Sequence, residues 1–120
     1  MAKILVAEDD ELTRYLLELT LKQNGHFVAT AMNGREAITI IASEQPDVVV
    51  LDLMMPGIDG LEVIRTIKSE PDFDSIRIIV VTGTAEPEKL PETQQADLVL
   101  HKPVPIEKLL EHIQSFLPEN

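Results

Sequence analysis

The chain has 120 residues, 44% of them hydrophobic, with no cysteine and no tryptophan. That length fits one domain, residues 1–120, with a real core, and the missing cysteine excludes disulfides, thiolate metal sites and a cysteine nucleophile. With 21 acidic residues against 10 basic ones, the net charge is −11, which argues against a nucleic-acid partner needing a basic stripe and favours a basic partner or a bound cation.

No apolar stretch reaches the roughly 18 residues that span a bilayer. The opening MAKILVAEDD lacks the pattern of a signal peptide. A cytoplasmic protein without a membrane partner is therefore expected.

KILVA, residues 3–7, reads as a strand by its β-branched content and length. ELTRYLLELTLKQNG follows as a helix, with Leu12, Leu16 and Leu19 as its stripe, Leu17 adjoining, and Gly25 at its stop. HFVATA is a weaker, alternating strand, and NGREAITIIASEQP a second helix capped by Asn33. Its stripe is Ala37, Ile38 and Ile41, and Pro46 lies just past its end.

DVVVLD is apolar on both faces up to its last residue, the mark of a central parallel strand covered on both sides. PGIDG is a turn whose Gly57 and Gly60 set the backbone, and GLEVIRTIKSE is a third helix with Leu61, Ile64 and Ile67 on one face. IRIIVVT and DLVLHKP are the fourth and fifth strands. PIEKLLEHIQSFL closes the chain as a helix, with Pro105 in its first turn and Ile106, Leu109, Leu110, Ile113 and Phe116 as its stripe. Between the last two strands, GTAEPEKLPETQQA carries Pro87 and Pro91 and little apolar residue beyond Leu90 and Ala96. Proline inside a helix costs about 3 kcal/mol, so this fourth helix is expected to be short or irregular.

Strict alternation of strand and helix predicts an open, doubly wound α/β domain, a five-stranded parallel sheet with helices on both faces. Ligands of such sheets bind beyond the carboxyl ends of the strands. Those ends carry Glu8, Asp9, Asp10 and Glu11 after the first strand, Asp52 on the third, Thr82 on the fourth and Lys102 after the fifth. Carboxylates about 4 Å apart repel by roughly 1 kcal/mol in water and about 4 kcal/mol at an effective dielectric near 20. Lys102 offsets one charge, and a hard divalent cation offsets more. Mg²⁺ pairs with one or two carboxylates together with phosphate oxygens. The cluster therefore reads as a site for Mg²⁺ and a phosphoryl group, with Asp52 as metal ligand, nucleophile or both. Asp10 and Glu11 read instead as first-turn residues that complement the helix dipole.

The segments ILVAEDD, PDVVVLDLMMPGIDGLEVI, IIVVTGTAE and LHKPV, in this order, resemble the receiver domain of response regulators in bacterial two-component signalling, over all 120 residues. The resemblance implies a flavodoxin-like strand order 2-1-3-4-5. It implies that Asp52 accepts a phosphoryl group from the phosphohistidine of a histidine kinase or a histidine phosphotransfer protein. It assigns Mg²⁺ to Glu8, Asp9, Asp52 and the backbone carbonyl of Met54, the switch hydroxyl to Thr82, the phosphoryl contact to Lys102, and a cis peptide bond to Pro103. Such a chain is a signalling phosphoacceptor, a monomer or weak dimer, and not a multiple-turnover enzyme. It is either a stand-alone receiver acting through protein contacts or a piece of a longer chain.

Three features depart from the family pattern. Glu8 stands where Asp is commoner. Met54 replaces a polar residue that helps place the hydrolytic water, with Thr84 a partial substitute. Val99 occupies the position of an aromatic switch residue. The departure at Val99 keeps an alternative open, a pseudo-receiver scaffold that is not phosphorylated. A phosphatase with an aspartyl nucleophile would want a second Asp at position 54, where this chain has Met54.

Overall fold

Five short β-rich segments form the strands β1 (Lys3–Ala7), β2 (Phe27–Ala31), β3 (Val48–Asp52), β4 (Arg77–Thr82) and β5 (Leu98–His101). Between and after them lie α1 (Glu11–Gln23), α2 (Gly34–Glu44), α3 (Gly60–Ser69) and α4 (Ile106–Phe116). The computed structural model describes residues 2–55, 57, 59–83 and 91–117. The strands make one parallel sheet in the order β2-β1-β3-β4-β5, the order expected of a flavodoxin-like fold. All five residues of β3, the middle strand, are buried, which accounts for its near-continuous apolar run.

Two apolar layers sandwich the sheet. On one face, Leu5, Val49, Leu51, Ile78 and Val80 pack with Ala37 and Ile41 of α2 and with Val63, Ile64 and Ile67 of α3. On the other, Ile4, Val6, Val48, Val50, Ile79 and Val81 pack with Leu17 and Leu21 of α1 and Leu109 and Ile113 of α4. Alternate residues of each strand thus feed opposite layers, as the period-two geometry of a strand requires.

Helix starts follow side-chain chemistry. The Asp10 carboxylate accepts from Thr13 N–H at 2.9 Å, that of Asp59 from Glu62 N–H at 3.1 Å, and the Asn33 side chain from Glu36 N–H at 2.8 Å. Each satisfies a donor that the first turn leaves without a helical partner. Gly25 follows α1 at φ +88°, in the left-handed region open to glycine.

Several expectations need correction. The sequence stripe of α1 faces the wrong way: Leu12, Leu16 and Leu19 are exposed, while Leu17 and Leu21 are buried. Leucines occupy so many positions of this helix that periodicity alone selects no unique face. In α3, Val63 is buried where Leu61 was expected, and Leu61 is only partly covered. Pro105 caps α4 from outside and does not lie in its first turn. In the proline-marked stretch, the described part is a 3-10 turn, Pro91–Gln95, in keeping with a short, irregular element. Thr84, Pro87 and Leu90 lie outside the described residues.

Candidate functional site

The carboxyl edge of the sheet collects the charged residues. Glu8 follows directly on β1, Asp52 ends β3, Thr82 ends β4, and Lys102 follows β5. Strand register sets their neighbours. Asp52 pairs with Val81, and Thr82 with His101. Lys102 N–H then donates to Thr82 O at 2.9 Å, tying the two strand ends together. The Lys102–Pro103 peptide bond is cis.

Within this edge, Glu8, Asp9 and Asp52 each offer a carboxylate oxygen, all within 4.8 Å of one another. Glu8 and Asp52 are buried and Asp9 is exposed. Lys102 Nζ stands 2.7 Å from Glu8 Oε1 and 3.3 Å from Asp52 Oδ2. The second oxygens are held by the backbone: Asp10 N–H donates to Glu8 Oε2 and Met54 N–H to Asp52 Oδ1, both at 3.1 Å. Glu8 Oε1 is buried, with the Lys102 ammonium as its charge partner. Arg14 of α1 donates to the carbonyl of Glu8 at 3.0 Å and more weakly to that of Asp9, fixing the backbone that carries the acids. Sequence reasoning missed this role, and a cation one turn into the helix after an acidic run was its only signal.

Burial pushes the Glu8 carboxyl up to about 7, with Asp52 adding to the shift and Lys102 opposing it. Burial pulls Lys102 down, but the Glu8 and Asp52 carboxylates outweigh it and hold the ammonium above its ordinary value. Like charges crowded together raise one carboxyl, and an opposite charge stabilises the cation.

A close backbone approach seats Asp52. A Cβ on Gly60 would lie 2.5 Å from Asp52 O and 2.7 Å from Leu53 Cα, and Gly60 N–H donates to Leu53 O at 3.1 Å. The start of α3 therefore packs against the backbone of the strand end as only glycine permits.

The other predicted positions fall as follows. Thr82 is fully buried at its strand end. Met54 sits at the rim with its side chain exposed. Val99 is half-buried against the α2–α3 layer, with Ala96 of the adjoining turn in the same cluster. Arg65 of α3 pairs with Glu62 and, at 2.6 Å, with Glu92 of that turn, a link that no sequence spacing announced.

The all-oxygen donor set fits a hard cation. Adjacent ligands of octahedral Mg²⁺ stand about 3 Å apart and opposite ones about 4.2 Å, so the three oxygens, within 4.8 Å of one another, would draw together on a metal, and Glu8 Oε1 would exchange its contact with Lys102 for the cation.

Residues 4–114 match the response regulator receiver domain family. The chain belongs to that family. Similar proteins include response regulator MprA of Mycolicibacterium vanbaalenii, 40% identical over 115 residues, 96% of this chain and 50% of that protein. Transcriptional regulatory protein AfsQ1 of Streptomyces coelicolor is 44% identical over 83 residues, 69% of this chain and 36% of that protein. The chain thus spans about half the length, or less, of these curated relatives. Among solved structures, response regulator TrrA of Thermotoga maritima, in complex with Mg²⁺-BeF, is 33% identical with a TM-score of 0.89, covering 98% of this chain and 100% of that one. Chemotaxis protein CheY4 of Vibrio cholerae is 32% identical with a TM-score of 0.87, covering 98% and 99%. Receiver domains are signalling domains, not enzymes acting on small molecules, and this receiver carries its acidic pocket at Glu8, Asp9 and Asp52. Among the described residues no helix is long and apolar enough to cross a membrane.

Proposed function

We propose that this receiver accepts a phosphoryl group on Asp52 from the phosphohistidine of a histidine kinase or a histidine phosphotransfer protein, with Mg²⁺ held by Glu8, Asp9 and Asp52. The observation that carries the reading is Lys102, its ammonium set between Glu8 Oε1 and Asp52 Oδ2 at 2.7 and 3.3 Å. In the transfer, an oxygen of Asp52 forms a bond to phosphorus as the histidine N–P bond breaks, and the departing imidazole takes up a proton. Phosphoryl transfer depends mainly on positioning and on neutralising charge over the equatorial oxygens. Lys102 moves from the carboxylates to one phosphoryl oxygen, and the Thr82 hydroxyl donates to another. A bound Mg²⁺ supplies further charge neutralisation. The acyl phosphate, with its charge of about −2, then reorganises the neighbouring segments. The Met54 side chain, exposed and without a hydrogen-bonding group, cannot orient an attacking water, which favours a long-lived acyl phosphate.

The exposed ridge of Leu12, Tyr15, Leu16 and Leu19 on α1 begins within a few residues of the acidic cluster. It recurs at i, i+3, i+4 and i+7, the spacing that packs against another helix. That suits a helical phosphodonor docking beside Asp52. The net charge of −11 opposes a nucleic-acid partner for this stretch.

Mg²⁺ titration followed by thermal unfolding tests the site. At about a hundred times its dissociation constant, a cation bound only by the folded chain stabilises by about 2.7 kcal/mol. The wild type should show a saturable rise in Tm that Asp52→Asn and Glu8→Gln diminish, and no rise in the wild type would overturn the metal assignment.

A further inference from the structure

Strand β2 forms one edge of the sheet. Outward N–H and C=O groups of an edge strand template further pairing, so natural edges are blunted by charge, proline, a bulge or a covering element. β2 reads FVATA, with no charge and no proline. Its five residues pair in unbroken register with Lys3–Ala7, which leaves no bulge.

The ladder tells which groups point outward. Phe27 N–H donates to Ala2 O at 2.9 Å, and Ala31 O accepts from Glu8 N–H at 3.0 Å. By alternation Phe27, Ala29 and Ala31 turn their backbone groups toward β1, and Val28 and Thr30 turn theirs away. The open row stops at both ends, because His26 N–H donates to Leu21 O at 3.2 Å and Met32 N–H to the Glu36 carboxylate at 2.9 Å. A cavity of about 590 Å³ borders the lower end of this edge, with Lys3, Lys22, Phe27 and Glu44 in its lining. A second, of about 440 Å³, borders the upper end, with Thr30, Arg35, Glu36 and Ile40. Phe27 and Met32, flanking the row, are 64% and 50% exposed.

We propose that this edge is an interface between two copies of the chain, each pairing its β2 antiparallel to the other about a twofold axis through Ala29. That register is self-complementary. Val28 of one copy meets Thr30 of the second as a hydrogen-bonded pair, and symmetry repeats it, giving about four hydrogen bonds. Ala29 faces Ala29 at the centre, where small side chains permit close approach. Phe27 of each copy lands opposite Ala31 of the other, so part of its exposed ring is covered. The lower cavity of one copy meets the upper cavity of the second, which sets Lys3 against Glu36, and Glu44 against Arg35.

The charge of −11 on each copy opposes association beyond the Debye length of about 8 Å at physiological salt, so the dimer is weak and tightens as salt rises. The interface involves none of Glu8, Asp9, Asp52, Thr82 or Lys102 and stands apart from the phosphoryl reading.

Sedimentation velocity from about 10 µM to about 1 mM, the range of weak association, tests it, together with amide exchange at Val28 and Thr30. Thr30→Pro removes an N–H that β1 does not use, and Phe27→Lys charges an exposed edge position; neither touches the core. The wild type should shift toward a dimer with rising concentration, with growing protection at Val28 and Thr30. Both variants should stay monomeric with unchanged Tm. A wild type that stays monomeric throughout, or a dimer that survives in both variants, would overturn the proposal.

Discussion

Replacing Asp52 by Asn removes one charge and keeps the shape, so its effect is set by electrostatics. At pH 8 Glu8, whose carboxyl is pushed to about 7, is mostly ionised. Asp52 then faces Glu8 and Asp9 with oxygens within 4.8 Å and Lys102 at 3.3 Å. At an effective dielectric near 20 each repulsion is worth about 3–4 kcal/mol and the attraction about 5 kcal/mol; in water all are about fourfold smaller. Losing two repulsions and one attraction leaves a gain of about 0.5–2 kcal/mol. The Met54 N–H bond survives, since the Asn carbonyl accepts it. At pH 5 Glu8 is protonated, only the Asp9 repulsion is relieved, and the lost Lys102 pair dominates, so the sign reverses. Urea unfolding in the presence of a chelator at both pH values measures this. Asp52→Asn should be the more stable protein at pH 8 and the less stable at pH 5. A loss above about 1 kcal/mol at pH 8 would contradict the reasoning and make Asp52 a structural residue.

Glu8 itself predicts a pH slope. Its folded carboxyl titrates near 7 against an ordinary value of 4.5, so between those values the folded chain holds a proton that the unfolded chain has released. The stabilisation is complete below about pH 4.5 and is lost as pH rises through about 7, by up to about 3 kcal/mol. Denaturant midpoints of the wild type and Glu8→Gln, compared across pH 5–8 without divalent cations, should diverge by this amount, and parallel curves would refute the assignment. Gly60→Ala places a methyl 2.5 Å from Asp52 O and should cost about 1–3 kcal/mol by overpacking, despite alanine's better helix propensity. Thermal unfolding should show the loss, and an unchanged Tm would mean that α3 yields without disturbing Asp52.

The sequence displayed the parallel, doubly wound sheet through its alternation, its strand order only through the family resemblance, and the site because the functional side chains sit at or just past strand ends. Asp52, Glu8 and Lys102 were legible for that reason: a charge that ends an apolar run needs partners, and a parallel sheet delivers its strand ends to one place. The face of α1 was not legible, since Leu12, Leu16, Leu17, Leu19 and Leu21 surround the helix and only the sheet decides that Leu17 and Leu21 go inward. The Arg65–Glu92 pair joins residues 27 apart in sequence and depends on how the Pro91–Gln95 turn packs on α3. The contact between Gly60 and the backbone at Asp52 was signalled only by a glycine in a turn, which says that space is short but not against what.

The central claim is that Asp52 accepts a phosphoryl group with the help of Mg²⁺. Intact-mass spectrometry after incubation with acetyl phosphate, with and without Mg²⁺ and alongside Asp52→Asn, tests it most directly. The account predicts one added phosphoryl group in the wild type with Mg²⁺, and none in the variant or without the metal. A folded wild type that takes up no phosphoryl group, or a variant that takes up one as readily, would contradict it.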